Sequence, residues 1–263
     1  MAFEEARALG FIYALAMFCI TAYLWHSKRW TRKIGLLFLV ITLALGFLIF
    51  SPVIPWQFQS LVLRDARGIG GPLIVAAVGI LIMLALSFLF GRFYCGYYCP
   101  VGAAQELASL APVPKVRIEN KIWPGVIRWV FFMFFLLAAY LFSIGLLRLF
   151  GIRDFFLLIL SAGFVVFLAI LFTSLFLYRP FCRFICPFGA IASIPAMGSR
   201  FKIQRTDACI SCGKCERTCP TNEAKRTDRK GECYLCHRCM DVCPAEGALV
   251  YQRVKKQEGG VEK

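Results

Sequence analysis

The sequence predicts an all-α membrane bundle of about five transmembrane helices, followed by a small C-terminal α+β domain. Three observations support this fold class. Hydrophobic residues make up 59% of the 263 residues, more than a soluble globular chain buries in its core. Several apolar runs approach the roughly 20 residues that an α-helix needs to cross a bilayer. All of the 13 cysteines except Cys19 lie in short, regularly spaced groups, which favours metal ligation over disulfides.

Five apolar runs account for the predicted spans. They are Leu9 to Trp25, Ile34 to Ile54, Pro72 to Phe90, Pro124 to Leu147 and Phe155 to Tyr178. We expect one helix in each run, with Pro72 and Pro124 at first helical positions, where a missing amide hydrogen costs nothing. Residues 1–200 are expected to form the transmembrane domain, residues 201–252 the C-terminal domain and residues 253–263 a basic and polar tail.

Positive charge predicts the orientation of the bundle. The chain has 30 Lys and Arg against 15 Asp and Glu, a formal net charge of +15. Basic residues cluster in the first connection between runs (residues 26–33), in the third connection (residues 91–123) and beyond Tyr178. Such clusters favour the cytoplasmic face. We therefore expect a multi-pass protein of the cytoplasmic (inner) membrane, with its C-terminal domain in the cytoplasm and its charge facing membrane lipid, not nucleic acid. Arg128, near the start of a span, is expected to snorkel to this interface.

The membrane domain contains an internal repeat. The segment Arg92-Phe-Tyr-Cys95-Gly-Tyr-Tyr-Cys99-Pro-Val-Gly-Ala aligns with Arg179-Pro-Phe-Cys182-Arg-Phe-Ile-Cys186-Pro-Phe-Gly-Ala. Each copy follows a span that runs towards the cytoplasm. Both copies are therefore predicted to lie on the same side of the bilayer as an internal pseudo-repeat.

Eight cysteines of the C-terminal domain form two copies of the motif CxxCxxCxxxCP. This is the bacterial ferredoxin run, so the domain is predicted to be a two-cluster, ferredoxin-like 4Fe-4S domain. Zinc sites pair two CxxC units instead. In two-cluster ferredoxins the fourth cysteine of each run ligates the other cluster. By analogy, cluster 1 would be held by Cys209, Cys212, Cys215 and Cys243, and cluster 2 by Cys219, Cys233, Cys236 and Cys239.

The cysteines of the repeat need a separate explanation. They are Cys95, Cys99, Cys182 and Cys186. If the repeats pack around a pseudo-twofold axis, the four thiols converge and can ligate one additional iron-sulfur cluster. Redox-active thiol pairs or cofactor contacts, and a purely structural role, stay open as alternatives. Pro100 and Pro187 stand where helices begin, so amide dipoles would favour negative charge on sulfur. Cys19, alone in an apolar run, is expected to be buried and inert.

The pair of CxxxCP motifs at the ends of membrane spans, followed by two CxxCxxCxxxCP motifs, resembles the NapH-type membrane polyferredoxins. These are related to NosR-type and CcoG-type proteins, and the resemblance covers nearly the whole chain. It implies the 4Fe-4S membrane component of a quinol dehydrogenase, which draws electrons from quinol and passes them to partner redox proteins. It assigns cluster ligation to the eight C-terminal cysteines and quinol-linked redox work to Cys95, Cys99, Cys182 and Cys186.

The sequence thus favours an oxidoreductase subunit that moves electrons between a quinone pool and other redox protein subunits. Bundle haems are excluded because His26 and His237 are the 2 histidines, and His237 is expected to be an outer-shell or surface residue of the cluster domain. Candidate quinone contacts are Trp56, Gln57, Gln59 and Glu106. Two other interpretations stay open, an accessory reductase that supplies electrons for maturation of a metalloenzyme and a cluster-bearing membrane anchor of a larger redox complex.

Overall fold

The computed structural model describes residues 12, 16–25, 27, 29–50, 53–65 and 72–254, and it is mostly helical. The start of the first apolar run and most of the 253–263 tail lie outside these residues. In chain order the helices are α1 (Ala16–Trp25), α2 (Arg32–Ile49), α3 (Ile54–Val62), α4 (Leu73–Phe90), α5 (Phe93–Tyr97), α6 (Pro100–Ala108), α7 (Ile122–Phe142), α8 (Leu146–Leu149), α9 (Ile152–Phe156), α10 (Ala162–Phe176), α11 (Pro187–Met197), α12 (Lys214–Thr218) and α13 (Arg238–Asp241). A π-helical turn, Phe181–Ile185, precedes α11, and the strands are β1 (Phe201–Arg205) and β2 (Leu249–Arg253).

Two helices in the described part of the chain, α4 and α7, are long and apolar enough to cross a membrane. Their mean hydropathies are 2.9 and 2.0, and only 17% and 28% of their apolar windows are buried within the protein. Outward-facing apolar side chains are what lipid requires of a spanning helix. Three further apolar helices in the described part of the chain, α1, α10 and α11, are shorter. The structure therefore confirms a mostly helical domain, but it does not confirm a bundle of five spans.

Two apolar runs are not the single helices that the sequence predicts. The fourth run stops being helical at Ser143, whose left-handed conformation (φ 51°) ends α7. Because α7 begins at Ile122, Pro124 is its third residue and not its first. The last run is broken between α9 and α10, where the Ser161 side chain accepts a hydrogen bond from the amide of Phe164 and caps a new helix. Short polar residues thus end or start helices inside apolar runs.

The two copies of the repeat fold in a similar way and pack against each other. In the first copy α5 leads into α6, and in the second the π-helical turn leads into α11. The flanking helices hold this pair, because α2 packs on α6 while α4 and α7 pack on α11. Gln105 of α6 joins the copies, since its side-chain oxygen accepts the amide of Phe181 at 2.9 Å. Val101 and Phe188 are fully buried in the core at this junction.

The C-terminal module, residues 201–254, contains a two-stranded antiparallel sheet and two short helices. Ile203 of β1 lies opposite Tyr251 of β2, and this pairing brings together the two ends of the segment that carries all eight ferredoxin-type cysteines. The Tyr251 hydroxyl donates to the carbonyl oxygen of Phe90 at 2.9 Å. The rings of Phe90 and Phe201 stack with centroids 5.4 Å apart. The sheet is therefore joined to the end of α4.

The basic connections lie at the same end of the bundle as the module. Arg32, at the start of α2, pairs with Asp241 of α13 at 3.3 Å. Lys121, just before α7, pairs with Asp228 at 2.6 Å. The first and third connections therefore share one end of the bundle, as the distribution of positive charge predicts.

A buried ion pair joins the module to the bundle at Glu232. Its carboxylate accepts Arg92 at 2.7 Å and Arg128 at 2.5 Å. Both arginines are 1% exposed. The prediction that Arg128 snorkels to the membrane surface is therefore wrong, because Glu232 of the module holds its guanidinium inside the protein.

A second pair forms at Glu106 of α6. Its carboxylate accepts Arg179 at 2.8 Å and Arg238 of the module at 2.8 Å. Burial alone would raise the pKa of Glu106, but the two guanidinium groups hold this pKa below its usual value. The carboxylate is therefore ionised at neutral pH, and it bridges an arginine of the bundle and an arginine of the module.

Replacement of Glu232 tests this interface. Glu232→Gln leaves Arg92 and Arg128 buried without an anion, and loss of one partner of a buried pair costs about 3–5 kcal/mol. We expect a lower unfolding midpoint in detergent and easier proteolytic release of the module. The control is Asp65→Asn, which breaks a more exposed pair with Arg148 (3.4 Å) and should cost less than about 1 kcal/mol. Equal effects of the two substitutions would contradict this account.

Candidate functional site

The four cysteines of the two CxxxCP elements line one cavity inside the bundle. Their positions are Cys95 in α5, Cys99 directly before α6, Cys182 in the π-helical turn and Cys186 directly before α11. All four side chains are buried, and apolar neighbours such as Phe181 and Phe188 close the cavity. The repeats thus bring together four thiols from distant parts of the chain.

Amide groups point at two of these sulfurs. Pro100 and Pro187 begin α6 and α11, as the sequence predicts. Cys186 Sγ accepts a hydrogen bond from a backbone amide in the first turn of α11 at 3.3 Å. Cys182 Sγ accepts one from the side-chain amide of Gln105, also at 3.3 Å. Such donors favour negative charge on sulfur, as metal ligation requires.

Burial controls the protonation of these thiols. It raises the pKa of Cys99 and Cys186 well above the usual value. It also raises the pKa of Cys182 to about 11, although Arg179 and Arg92 oppose the shift. Thiolates at Cys99, Cys182 and Cys186 therefore need a compensating cation, which the iron of a cluster would supply, and thiolate is the preferred ligand of such iron. The donor set fits a 4Fe-4S cluster, but the enclosed space is about 10 Å³, so the walls of the cavity must move apart to admit it.

An arginine from each repeat crosses to the other repeat. Arg179 donates to two successive carbonyl oxygens of α5 at 2.6 and 2.8 Å, and Arg92 donates to the carbonyl oxygen of Gly189 at 3.1 Å. A Cβ on Gly102 would lie 3.2 Å from Arg179, and a Cβ on Gly189 would lie 2.8 Å from Arg92. The glycine of each copy thus makes room for the arginine of the other. Sequence reasoning missed these roles, although all four residues are identical at matched positions of the repeat.

The cysteines that the analogy assigns to cluster 2 line a second, larger cavity. Cys219, Cys233, Cys236 and Cys239 contribute to its wall, and its volume is about 780 Å³. Burial raises the pKa of Cys233 to about 12 and that of Cys236 to about 11. Cys219 Sγ accepts the amide of Glu223 at 3.3 Å. One cysteine of the first ferredoxin motif thus lies with three of the second.

The cysteines assigned to cluster 1 are less enclosed. Cys215 in α12 is buried, and its Sγ accepts a guanidinium hydrogen bond from Arg205 at 3.3 Å. Cys212 is exposed, and the other two are half-buried. Because α12 packs against α13, Cys215 lies beside Cys239 of the larger cavity. Ligation of cluster 1 stays a prediction.

The geometry does not favour a mononuclear metal site. Among the described residues, no three Cys, His, Asp or Glu side chains converge closely enough to hold one metal ion. A cubane binds its four thiolates through four different irons, so its ligands stand further apart than those of a single ion.

Other residues singled out from the sequence have structural partners. Glu106 is held by its two arginines, and Gln59 accepts a backbone amide of α8 at 2.6 Å, so both are engaged in the fold. His237 is buried and is not a surface residue, and its ring centroid lies 4.4 Å from that of Trp25. Cys19 is exposed, so the prediction that it is buried is wrong.

Comparison with protein families identifies 4Fe-4S domains in both halves of the chain. A family described as "4Fe-4S binding domain" matches residues 72–119 and 160–205, which contain the two CxxxCP elements. A second family with the same description matches residues 203–222, which contain the first CxxCxxCxxxCP motif. The prediction of ferredoxin-type 4Fe-4S domains is therefore confirmed.

Related proteins carry names from redox systems. YccM of Escherichia coli, provisionally named an electron transport protein, is 27% identical over 56% of this chain and 47% of its own length. Protein NirI of Paracoccus denitrificans is 32% identical over 81% of this chain and 34% of its own length. The regulatory protein NosR of Pseudomonas aeruginosa is 30% identical over 51% of this chain and 21% of its own length. The chain thus spans about half of these relatives or less, and no solved structure matches it significantly.

The crossing of the repeats can be tested at Gly102. In Gly102→Ala the new Cβ would lie 2.6 Å from the Cys95 carbonyl oxygen, so backbone must move. We expect a loss of about 1–3 kcal/mol in the free energy of unfolding, seen as a lower unfolding midpoint in detergent. The control is Gly125→Ala in α7, where nothing lies within 4 Å and the change should be neutral or stabilise by up to about 1 kcal/mol. A Gly102→Ala protein as stable as this control would refute the proposed close approach.

Proposed function

We propose that the chain is a membrane electron-transfer subunit, because it carries ferredoxin-type 4Fe-4S domains and is similar to NirI and NosR. It passes electrons between a quinone or quinol pool and partner redox proteins through two 4Fe-4S clusters in the C-terminal module. A third cluster at the CxxxCP cysteines lies on this route. Clusters supply one-electron storage, while the chain holds them, keeps water away and fixes their spacing. The observation that carries the proposal is the contact between the four-thiol cavity and the module.

The third cluster is supported by the family match and by this contact. The 4Fe-4S binding domain family matches both copies of the repeat. Tyr234 follows the cluster 2 cysteine Cys233, and its carbonyl oxygen approaches Gly96, the neighbour of Cys95. A Cβ on Gly96 would overlap that oxygen. Redox centres on the two sides of so close a contact can exchange electrons without movement of the module. This arrangement suits an electron carrier better than an enzyme with a substrate cleft.

We place the module on the cytoplasmic side of the inner membrane. The spanning helices α4 and α7 support a membrane location. The basic first and third connections contact the module through Arg32 and Lys121, and positive connections stay preferentially in the cytoplasm. The module therefore meets partner redox proteins there, while the bundle meets membrane lipid.

An aromatic cavity offers a place for the quinone ring. It measures about 410 Å³, lies between α1, the end of α4 and the sheet, and has Trp25, Phe90 and Tyr251 in its wall. Apolar and aromatic walls with few polar groups are typical of sites for such ligands. Trp25 also contacts His237, the neighbour of Cys236. A ring bound in this cavity would therefore lie near cluster 2.

Iron and acid-labile sulfide content tests the number of clusters. After anaerobic purification, three clusters predict about twelve iron atoms per chain and two predict about eight. Cys99→Ser combined with Cys186→Ser should remove about four, because these thiols line only the cavity in the bundle. Cys19→Ser, which changes an exposed thiol outside both cavities, should keep the full content. A wild-type value of about eight, unchanged in the double variant, would rule out the third cluster.

Quinol-dependent reduction tests the proposed link to the quinone pool. A quinol releases two electrons and two protons, and each cluster accepts one electron. Adding a short-chain quinol to the oxidised, anaerobic protein should bleach the iron-sulfur absorbance, and an oxidised quinone should restore it from the reduced protein. Trp25→Ala should weaken the response by opening the aromatic cavity, while Trp123→Ala, an exposed Trp elsewhere, should not. An accessory reductase or a docking anchor predicts no response to either form, and such a result would exclude the quinone link.

A further inference from the structure

The interface beside the four-thiol cavity carries more positive than negative charge. The pairs are Glu232 with Arg92 and Arg128, and Glu106 with Arg179 and Arg238. Four guanidinium charges against two carboxylates leave two positive charges without an anion among these residues. A buried excess of charge is costly, so it requires an anionic neighbour that these six side chains do not provide.

Two of the four arginines adjoin the CxxxCP cysteines directly. Arg92 lines the cavity between the thiols, and it reaches the second copy of the repeat at Gly189. Arg179 donates to the carbonyl oxygens of Cys95 and Gly96 in the first copy. Each arginine thus lies against the cysteine element of the other copy.

Both guanidinium groups lie close to the ring of Tyr234, which belongs to the module. The Arg92 group is 4.6 Å and the Arg179 group 4.8 Å from the centroid of its ring. Tyr234 is buried, and its hydroxyl has no hydrogen-bond partner in the described part of the chain. The faces of the ring, and not the hydroxyl, therefore make the contact. An aromatic face attracts a cation, so one ring can hold two like charges that would otherwise repel each other.

We infer that Arg92 and Arg179 are positioning residues that raise the reduction potential of the CxxxCP centre, and that Tyr234 holds them in place. The inference rests on the proposed third cluster. A cubane held by four thiolates is anionic, and its negative charge grows by one when it accepts one electron. Positive charge beside it in a buried site stabilises the reduced form more than the oxidised form. No bond to either arginine forms or breaks, and both stay protonated throughout.

A redox titration of the full-length anaerobic protein, followed by EPR, tests the inference. Arg179→Gln removes one charge, so the reduced-to-oxidised ratio of this centre at a fixed potential should fall about tenfold, a shift of about 59 mV for a one-electron couple. Arg179→Lys keeps the charge and should restore most of the ratio. Tyr234→Leu removes the aromatic faces and should shift the ratio in the same direction but less, whereas Tyr234→Phe keeps them and should restore it.

The matched control is Arg128→Gln. It removes an equally buried arginine, whose side chain pairs with Glu232, whereas Arg179 donates to the carbonyl oxygen of Cys95 itself, so the ratio should change less than about threefold in Arg128→Gln. Twelve iron atoms per chain with an unshifted potential in Arg179→Gln would overturn the inference and leave the third cluster standing. About eight iron atoms in the wild type would overturn both. If Arg179→Gln loses the cluster, Arg179→Lys decides, because a wild-type ratio supports the role of charge and a tenfold fall refutes it.

Discussion

Two glutamates shared by four arginines join the helical bundle to the C-terminal module, and the relation between these parts depends on that pairing. Arg92 and Arg128 belong to the bundle, yet their carboxylate, Glu232, belongs to the module. Glu106 belongs to the bundle, and Arg238 of the module completes its pair. A buried charge without its partner costs several kcal/mol, so neither part can bury its own charges alone. The bundle and the module are therefore expected to fold as one cooperative unit.

The internal repeat explains how four thiols reach one cavity. Because each copy sends its arginine across to the other, neither copy can move without breaking hydrogen bonds to main-chain carbonyl groups. At Gly102 and Gly189 a side chain would crowd the arginine that crosses from the other copy, so glycine is required there. The same backbone contacts that hold the two copies together thus place Cys95 and Cys182 around a common space. The contacts that stabilise the packing of the two copies therefore also determine the positions of the thiols.

The sequence predicted the cysteine chemistry better than the paths of the helices, for physical reasons. Spacing such as CxxCxxCxxxCP is a local property of the chain, and the alignment of the repeat predicted that its cysteines converge. A single hydroxyl hardly lowers the hydropathy of a long window, so the break at Ser161 was not predicted. Arg128 was misplaced because its partner, Glu232, lies 104 residues away. The contact of Arg92 and Arg179 with the ring of Tyr234 is likewise a tertiary contact, which no local sequence pattern predicts.

The charge around Tyr234 also bears on how a two-electron donor can be coupled to one-electron carriers. A quinol gives up two electrons, so two neighbouring clusters in the proposed route must be reduced together or in quick succession. Two reduced clusters repel each other, and this repulsion is large in a buried site of low dielectric constant. Arg92 and Arg179 both contact the elements that carry the CxxxCP cysteines, and both lie close to the ring of Tyr234, which follows the cluster 2 cysteine Cys233. Positive charge in this position would offset part of that repulsion, so it would lower the cost of adding the second electron.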